Sequence, residues 1–404
     1  MDSTFSPLRG SDVRQQNEKL VLNYFYDKQL TSQAEISVKT GLKPSTVLRI
    51  FANLVQRGEI RLASAEEPAN GGQPRNGKLG RPAAYYELCE NAHHVVGISF
   101  TEDAIYCTIV NFTLHVVYRC SSEWTFPQTG DELCEQIGGF LAGALADGGI
   151  PADSVIGVGL GCPSAIGPNG VLTKTTFRSP ISDFPIAAKL AERFPIPFFA
   201  QNNTVLAAQN MHRYGECEAF EHILVLSLEQ TMPLVNFTHS LRCGSGDSSV
   251  FPVGGICQSF YAAIKKETLS SIAEERAILR RVRQLTGIGE LSGVCQALDG
   301  ENRIVQDLLA DVVDPLALCI RNAISTFEPD CFVLLSGSKA FSEFLLRRAA
   351  ASGIMNLETA VPLIAAENNP YYIARSSTDL VYDWFFNAGL PWRRPDTTPE
   401  DRLV

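Results

Sequence analysis

Through the first sixty residues, apolar side chains recur every three or four positions. Leu20, Val21, Tyr24 and Phe25 form one such stripe within residues 17–28, and Val47, Ile50, Phe51 and Leu54 form another. That spacing puts each set on a single helix face. Between the two stripes, Ser32-Gln33-Ala34-Glu35 has the form of a capping box, in which the serine hydroxyl and the glutamate carboxylate each satisfy a backbone N–H at a helix start. A short second helix is therefore expected to about Thr40, with a sharp turn at Gly41. A third helix is entered through Pro44, whose φ is preset for a first turn, and is ended by Gly58.

The pattern then changes period. Glu59–Leu62 and Ala84–Leu88 alternate apolar and polar residues and can pair as a hairpin. The segment between them is rich in Gly, Asn and Pro, carries Arg75, Lys78 and Gly80-Arg81-Pro82, and is too long and polar for a packed loop. From Val95 onward strands and helices alternate. Strands are expected at residues 95–100, 104–111, 114–120, 154–161, 197–200, 222–228, 233–237 and 331–335, and helices at about 130–147, 183–194, 204–213, across 258–285 and at 302–327. Such alternation predicts an α/β body with ligand-binding loops at strand ends. The division expected is a head over 1–90 and a body over 91–404. The lobes of that body are residues 91–200 plus a C-terminal helix, and 201–370.

Charge is distributed unevenly. The chain of 404 residues has a net charge of −10, but residues 1–96 hold 12 Lys and Arg against 10 Asp and Glu, leaving 22 against 34 in the remainder. An acidic body cannot attract a polyanion, so any nucleic-acid contact must come from the head. The exposed side of the third helix offers Ser45, Thr46, Arg49, Asn53 and Gln56, all able to hydrogen-bond phosphates or base edges. The N-terminal end of a recognition helix is the part that enters the major groove. Ser45, Thr46 and Arg49 are therefore the main candidates, joined by Ser32 and Gln33 at the start of the second helix and by Arg81, which a Gly-Arg-Pro segment could carry into a narrow minor groove. Together they imply a winged helix-turn-helix that reads double-stranded DNA, working as a homodimer or a dimer of dimers on paired half-sites.

The eleven cysteines are scattered, without a Cys-x-x-Cys pair, and several sit in apolar runs, so they read as reduced core residues. No apolar run reaches the roughly 20 residues needed to span a bilayer, and the N-terminus lacks the pattern of a signal peptide. A cytoplasmic protein with no membrane association is expected. Cys162 before Pro163 has no histidine near it in sequence, and adjacent His93 and His94 on a strand face opposite sides, so both features read as structural.

The order of pieces resembles the ROK family, which comprises sugar kinases and sugar-responsive repressors. The resemblance rests on Leu30 to Leu42, on Gly80-Arg81-Pro82, on Gly157-Val158-Gly159 through Pro163, and on Asn202-Asn203-Thr204-Val205-Leu206-Ala207-Ala208. It implies a two-lobed, ribonuclease H-like, actin-like body of the sugar-kinase type. It also implies a carbohydrate-gene repressor of the xylose or N-acetylglucosamine repressor type, answering to a sugar or sugar phosphate. In the family's kinases an aspartate stands at the position of Asn203 and removes the sugar hydroxyl proton. An asparagine amide cannot accept that proton. The hairpin Ser99-Phe100-Thr101-Glu102-Asp103 lacks the glycines that let backbone amides approach ATP, and Leu228-Glu229-Gln230-Thr231 replaces a second phosphate loop with an acid that would repel a nucleotide.

No catalytic residue and no cofactor are expected. Gly246-Asp247-Ser248-Ser249-Val250 aligns with a sugar-binding and zinc-ligating motif but puts Val250 where the histidine stands, and the cysteine loop that should follow is reduced to Gly255-Ile256-Cys257. One thiol cannot build a tetrahedral zinc site, so no metal is expected. The candidate effector contacts are Ser164, Asn202, Asn203 and Asp247. Asn202 and Asn203 serve equally as a helix cap, and Ser164 and Asp247 as turn residues satisfying their own backbone. Two other readings stay open: a sugar kinase with an appended DNA-binding module, and a regulator that answers only to a protein partner.

Overall fold

The computed structural model describes residues 10–27, 30–63, 84–174, 181–229, 232–239, 246–253, 268–355 and 360–386. Arg75, Lys78, Gly80-Arg81-Pro82 and Gly255-Ile256-Cys257 lie outside the described residues.

The head consists of helices α1 (Gly10–Asp27), α2 (Gln33–Thr40) and α3 (Pro44–Gln56) and strands β1 (Thr31–Ser32), β2 (Ile60–Leu62) and β3 (Tyr85–Leu88). Both halves of the capping box form. The Glu35 N–H donates to the Ser32 hydroxyl at 3.3 Å, and the Ser32 N–H donates to the Glu35 carboxylate at 3.0 Å. Gly41 ends α2 at φ 71°, a left-handed conformation that favours glycine, and its N–H reaches the Ser37 carbonyl at 3.1 Å. The expected stripe of α3 is the buried one: Val47, Ile50, Phe51 and Leu54. Phe51 packs between Phe25 and Tyr86, with ring centroids 5.5 and 5.0 Å away. Helix α1 starts well before Asn17, because its first turns are polar and display no apolar stripe to read. Val21, Leu22 and Phe25 are its buried residues, while Leu20 and Tyr24 are only partly covered. Strands β2 and β3 pair antiparallel as expected, Ile60 opposite Leu88, and β1 adds a third strand in the order β1-β3-β2.

Two five-stranded sheets built to one plan form the body. The first has the order β10-β7-β4-β5-β6, from β4 (His94–Phe100), β5 (Ala104–Asn111), β6 (Val116–Glu123), β7 (Val155–Cys162) and β10 (Phe198–Asn202). Strands β4, β5 and β6 run antiparallel, then β7 and β10 join in parallel. Helices α4 (Gly130–Asp147) and α5 (Ile186–Arg193) cover one face, and a small hairpin, β8 (Ala165–Gly167) with β9 (Val171–Lys174), follows β7. Helix α6 (Asn203–Tyr214) leads into the second sheet, of order β13-β12-β11-β14-β15. Its strands are β11 (His222–Ser227), β12 (Pro233–His239), β13 (Gly246–Pro252), β14 (Cys331–Ser336) and β15 (Leu363–Glu367). Again three are antiparallel and two parallel. Helices α7 (Leu269–Ala273), α8 (Glu275–Thr286), α9 (Leu291–Asp299), α10 (Arg303–Phe327) and α11 (Lys339–Ala351) build the core beside it.

The last helix, α12 (Pro370–Phe386), returns to the first sheet. It comes so close that a Cβ on Gly97 would lie 1.8 Å from the Ala374 carbonyl oxygen, and one on Gly159 1.8 Å from that of Ser377. These two glycines are register partners on β4 and β7. Their missing side chains make the flat place on which α12 lies. Buried Asp379 of α12 meets Arg213 of α6 at 3.3 Å and Arg375 at 3.2 Å, which ties the two sheets together with paired charge. The far end of α12 holds the head: Lys19 and Asn23 donate to the carbonyls of Trp384 and Phe386, each at 2.9 Å. Val21, Phe25 and Leu54 share one apolar cluster with Phe112, Tyr382 and Phe386, so the head packs directly onto the body.

Candidate nucleic-acid interface and ligand cleft

The outward side of α3 carries exposed Ser45, Arg49, Asn53 and Gln56, with Thr46 partly exposed. Their position follows from the buried stripe opposite, since residues offset from it by one or two places face away from the core. Gln33, in the first turn of α2, is partly exposed. Ser32 is placed differently from the expectation. It is 4% exposed, and its hydroxyl is engaged with Glu35 in the capping box. Ser32 holds the start of α2 and presents nothing to a ligand. Arg81 lies outside the described residues.

The second site is a cleft of about 200 Å³ between the two sheets. One wall comes from the β4–β5 hairpin (Thr101, Glu102), the end of β7 (Pro163) and the start of α6 (Asn202, Asn203); the other comes from Glu229 after β11 and from Glu274, Glu275 and Arg276 at the α7–α8 junction. Asn202 caps α6: its side-chain oxygen accepts from the N–H groups of Thr204 and Val205 at 2.9 and 3.3 Å, and its amide donates to the Ser164 carbonyl at 3.0 Å. Its polar atoms thus hold the fold around the cleft. Ser164 is 1% exposed beneath it. Asn203 is different. Its Nδ2 donates to the Phe100 carbonyl at 3.1 Å, which fixes the amide's orientation and leaves Oδ1 buried without a hydrogen-bond donor. Asp247 sits in β13 opposite Thr238 of β12.

The opposite wall is acidic. The Asn368 amide donates to Glu229. Burial, and then the charge of neighbouring Glu275, push the Glu229 carboxyl up to about 7, against the opposing pull of Asn368 and Arg276. Glu275 accepts from the Gly337 N–H at 2.7 Å, just before α11. A backbone amide beside a helix N-terminus can hold a phosphate. Here it already holds a carboxylate. Arg276 bridges the cleft to Glu102 and, at 2.5 Å, to Asp103. Nothing local in the sequence signals that contact, because the Arg276 and Asp103 partners are 173 residues apart. Glu229 was legible as a substitution in a phosphate loop, whereas Glu274, Glu275 and Arg276 were not.

Two structural readings hold in detail. Cys162 is fully buried, and burial pushes its thiol far above the ordinary range. His93 bonds Glu59 at 3.0 Å and His94 bonds Ser154 at 2.8 Å, on different sides of the chain. Val250 offers no donor and packs on the apolar cluster around Val235, and among the described residues no three His, Cys, Asp or Glu are grouped to hold a metal. No helix among the described residues is long and apolar enough to cross a membrane.

A head of three helices on a doubled α/β body with a cleft between its sheets defines a class: chains that pair a small N-terminal helical unit with a sugar-kinase fold. No protein-family model matches the chain. A curated protein assigned as a xylose repressor in Caldicellulosiruptor sp. (strain Rt8B.4) is 21% identical over 348 residues, covering 81% of this chain and 84% of the relative. A solved ROK family transcriptional regulator, described as a homologue of the E. coli MLC protein, superposes with a TM-score of 0.70 at 13% identity, covering 93% of this chain and 98% of that one. A ROK family glucokinase from Streptomyces griseus, solved with glucose and AMPPNP, gives 0.57 at 16% identity over 71% of this chain and 98% of its own. The chain therefore has the fold shared by ROK regulators and ROK sugar kinases. In sequence it is similar to curated xylose repressors over most of its length.

Proposed function

We propose that the protein is a DNA-binding transcriptional repressor of sugar-metabolism genes, with a body that binds a small ligand and performs no phosphoryl transfer. In this reading residues 1–90 form a winged helix-turn-helix, with α3 as recognition helix and β2–β3 as wing, and residues 91–404 form the sensing body. Ser45, Thr46, Arg49 and Gln33 contact DNA, Arg81 reaches the minor groove, and the chain acts as a two-fold pair so that two heads meet two half-sites. The observation that carries it is the outward side of α3, where Ser45, Arg49, Asn53 and Gln56 are exposed beside Leu48 and Val55, set on an apolar underside and entered by a capped α2. The names of the curated relatives support the same reading.

Two features of the cleft support a body without catalysis. The Asn203 amide at the position of the kinases' general base donates to a backbone carbonyl and cannot take a proton. Glu229 and Glu275 line the side where a nucleotide's phosphates would need neutralising charge. A sugar-like ligand is the effector this reading carries, placed near Asn203. Such a ligand controls DNA binding only through different affinities for two arrangements of the body. Helix α12 runs from the cleft side of the first sheet to the head, which gives it a route.

The test is an electrophoretic shift with the DNA upstream of the protein's own gene, across salt concentrations, alongside an ATP-consumption assay with a panel of sugars. A shifted band that weakens with salt, and no ATP turnover, is the expected result. Sugar-dependent turnover with no shifted band would replace the repressor with a kinase.

A further inference from the structure

The cleft has a chemical bias that the reading of a sugar-responsive repressor does not contain. Glu229, Glu274 and Glu275 line it, and so does Asn203, whose side-chain oxygen is buried without a donor in a residue only 6% exposed. The Asn368 amide that donates to Glu229 likewise has its own oxygen buried and unpartnered. The unsatisfied atoms at this place are therefore acceptors. The cation of the lining, Arg276, has its guanidinium turned to Glu102 and Asp103 across the mouth. The Gly337 amide, just before α11, is taken by Glu275.

A buried acceptor left unmet, beside carboxylates that repel one another, is unfavourable until a donor arrives. The complement is a group with several N–H donors and positive charge. A phosphate is the opposite: it adds acceptors and negative charge next to Glu229 and Glu275. Size narrows the choice further, because drug-sized ligands occupy roughly 300–1,000 Å³, more than this cleft of about 200 Å³ offers.

We propose that the cleft is a site for a small ligand bearing a primary ammonium group, held by Glu229 and Glu275 with the side-chain oxygen of Asn203. The proposal rests on the ligand-binding reading of the body and names the chemistry of its ligand. An amino sugar and a short diamine both supply that chemistry. Binding keeps Glu229 ionised, so affinity for putrescine, whose ammonium groups stay protonated, rises with pH between about 6 and 8, whereas the less basic amine of glucosamine loses its own proton in the same range and cancels the rise. The charged groups that line the cleft with it are Glu274, Glu275 and Arg276 from the α7–α8 junction and Glu102 from the β4–β5 hairpin, and of these Glu275 and Arg276 act on its carboxyl, in opposite directions.

Calorimetry on the full chain tests this with four probes: glucosamine, putrescine, glucose and glucose 6-phosphate. At least one amine should bind, about tenfold or more tighter than glucose, as one charge-assisted hydrogen bond would give, and glucose 6-phosphate should bind weakest. Binding of glucosamine alone marks an amino sugar, and binding of putrescine alone a diamine. The Glu229→Gln variant, which keeps the shape of the side chain, should lose most of the amine affinity and the rise with pH expected for putrescine; thermal melts confirm that the variant is folded. Glucose or its phosphate binding as tightly as the amines, no heat with either amine, or an unchanged affinity in Glu229→Gln overturns the proposal. Operator binding, measured on the same preparation, separates the two readings. A specific DNA complex without amine binding removes only the ammonium site, whereas amine binding without operator preference removes the repressor and leaves the site.

Discussion

The head and the cleft treat their polar residues in opposite ways. On α3, Ser45, Arg49, Asn53 and Gln56 stand outward while the apolar residues opposite them make the core. In the cleft the polar groups are turned on one another: Asn202 on Ser164 and the first turn of α6, Glu275 on Gly337, Arg276 on Glu102 and Asp103. An outward set is free to meet a large polyanion. An inward set has most of its capacity used by the fold, and what is left over, the oxygen of Asn203 and the strained charge of Glu229, defines a narrow ligand chemistry. The same kind of residue list thus supports a broad interface in one place and a restricted site in the other.

The largest effect should come from the scaffold that positions both. Gly159→Ala puts a methyl group where the Ser377 carbonyl of α12 already stands. Overpacking in a well-packed core costs about 1–3 kcal/mol and more where backbone must move, so this variant should lose several degrees of melting temperature. Because α12 also docks the head, its DNA binding should fall with it. An unchanged melting curve would mean that α12 does not lie on β7 as described.

The next effect sharpens the cleft side of the comparison and depends on pH. The carboxyl of Glu229 stands at about 7 in the folded chain against an ordinary 4.5. Between those values the folded state keeps a proton that the unfolded chain has lost, so the contribution of this residue to stability falls as pH rises through that window. Glu229→Gln should match the parent at pH 5 and exceed it by about 1–3 kcal/mol at pH 8, as read from chemical denaturation at both values. A constant difference at the two pH values would show that Glu229 titrates normally.

The smallest stability effect belongs to the head. Arg49 is exposed, and replacing it with alanine should change stability by less than about 0.5 kcal/mol. Its effect on DNA should be larger: weaker binding, with the slope against salt reduced by about 1 if it meets a phosphate. A stability loss without an effect on DNA would move Arg49 from the interface to the core.

Much of the head was legible before any coordinates, because its signals are local. A capping box, a turn glycine, a proline at a helix start and one apolar stripe are all read within a few residues of where they act. The start of α1 and the strand β1 were missed, the first because its opening turns are polar, the second because two residues make a strand only through β3, far along the chain. The alternation of strands and helices gave the α/β body, yet not the doubling of its two sheets, which is a matter of pairing order. In the cleft, Asn203 and Glu229 stood out as departures from a resembled pattern. Ser32 and Asn202 were each given two roles, cap and ligand contact, and the bonds seen belong to the cap: Ser32 to Glu35, and Asn202 to the first turn of α6 and the Ser164 carbonyl. The Arg276 bridge was invisible, since only the fold brings the α7–α8 junction to the β4–β5 hairpin.

The central claim is that the head reads duplex DNA by sequence. Competition titration tests it most directly: a labelled duplex from upstream of the protein's own gene, at physiological salt, challenged with the same duplex or with an unrelated one of equal length and composition. The account predicts that the unrelated duplex competes at least about a thousandfold less well. Equal competition by the two duplexes would contradict it.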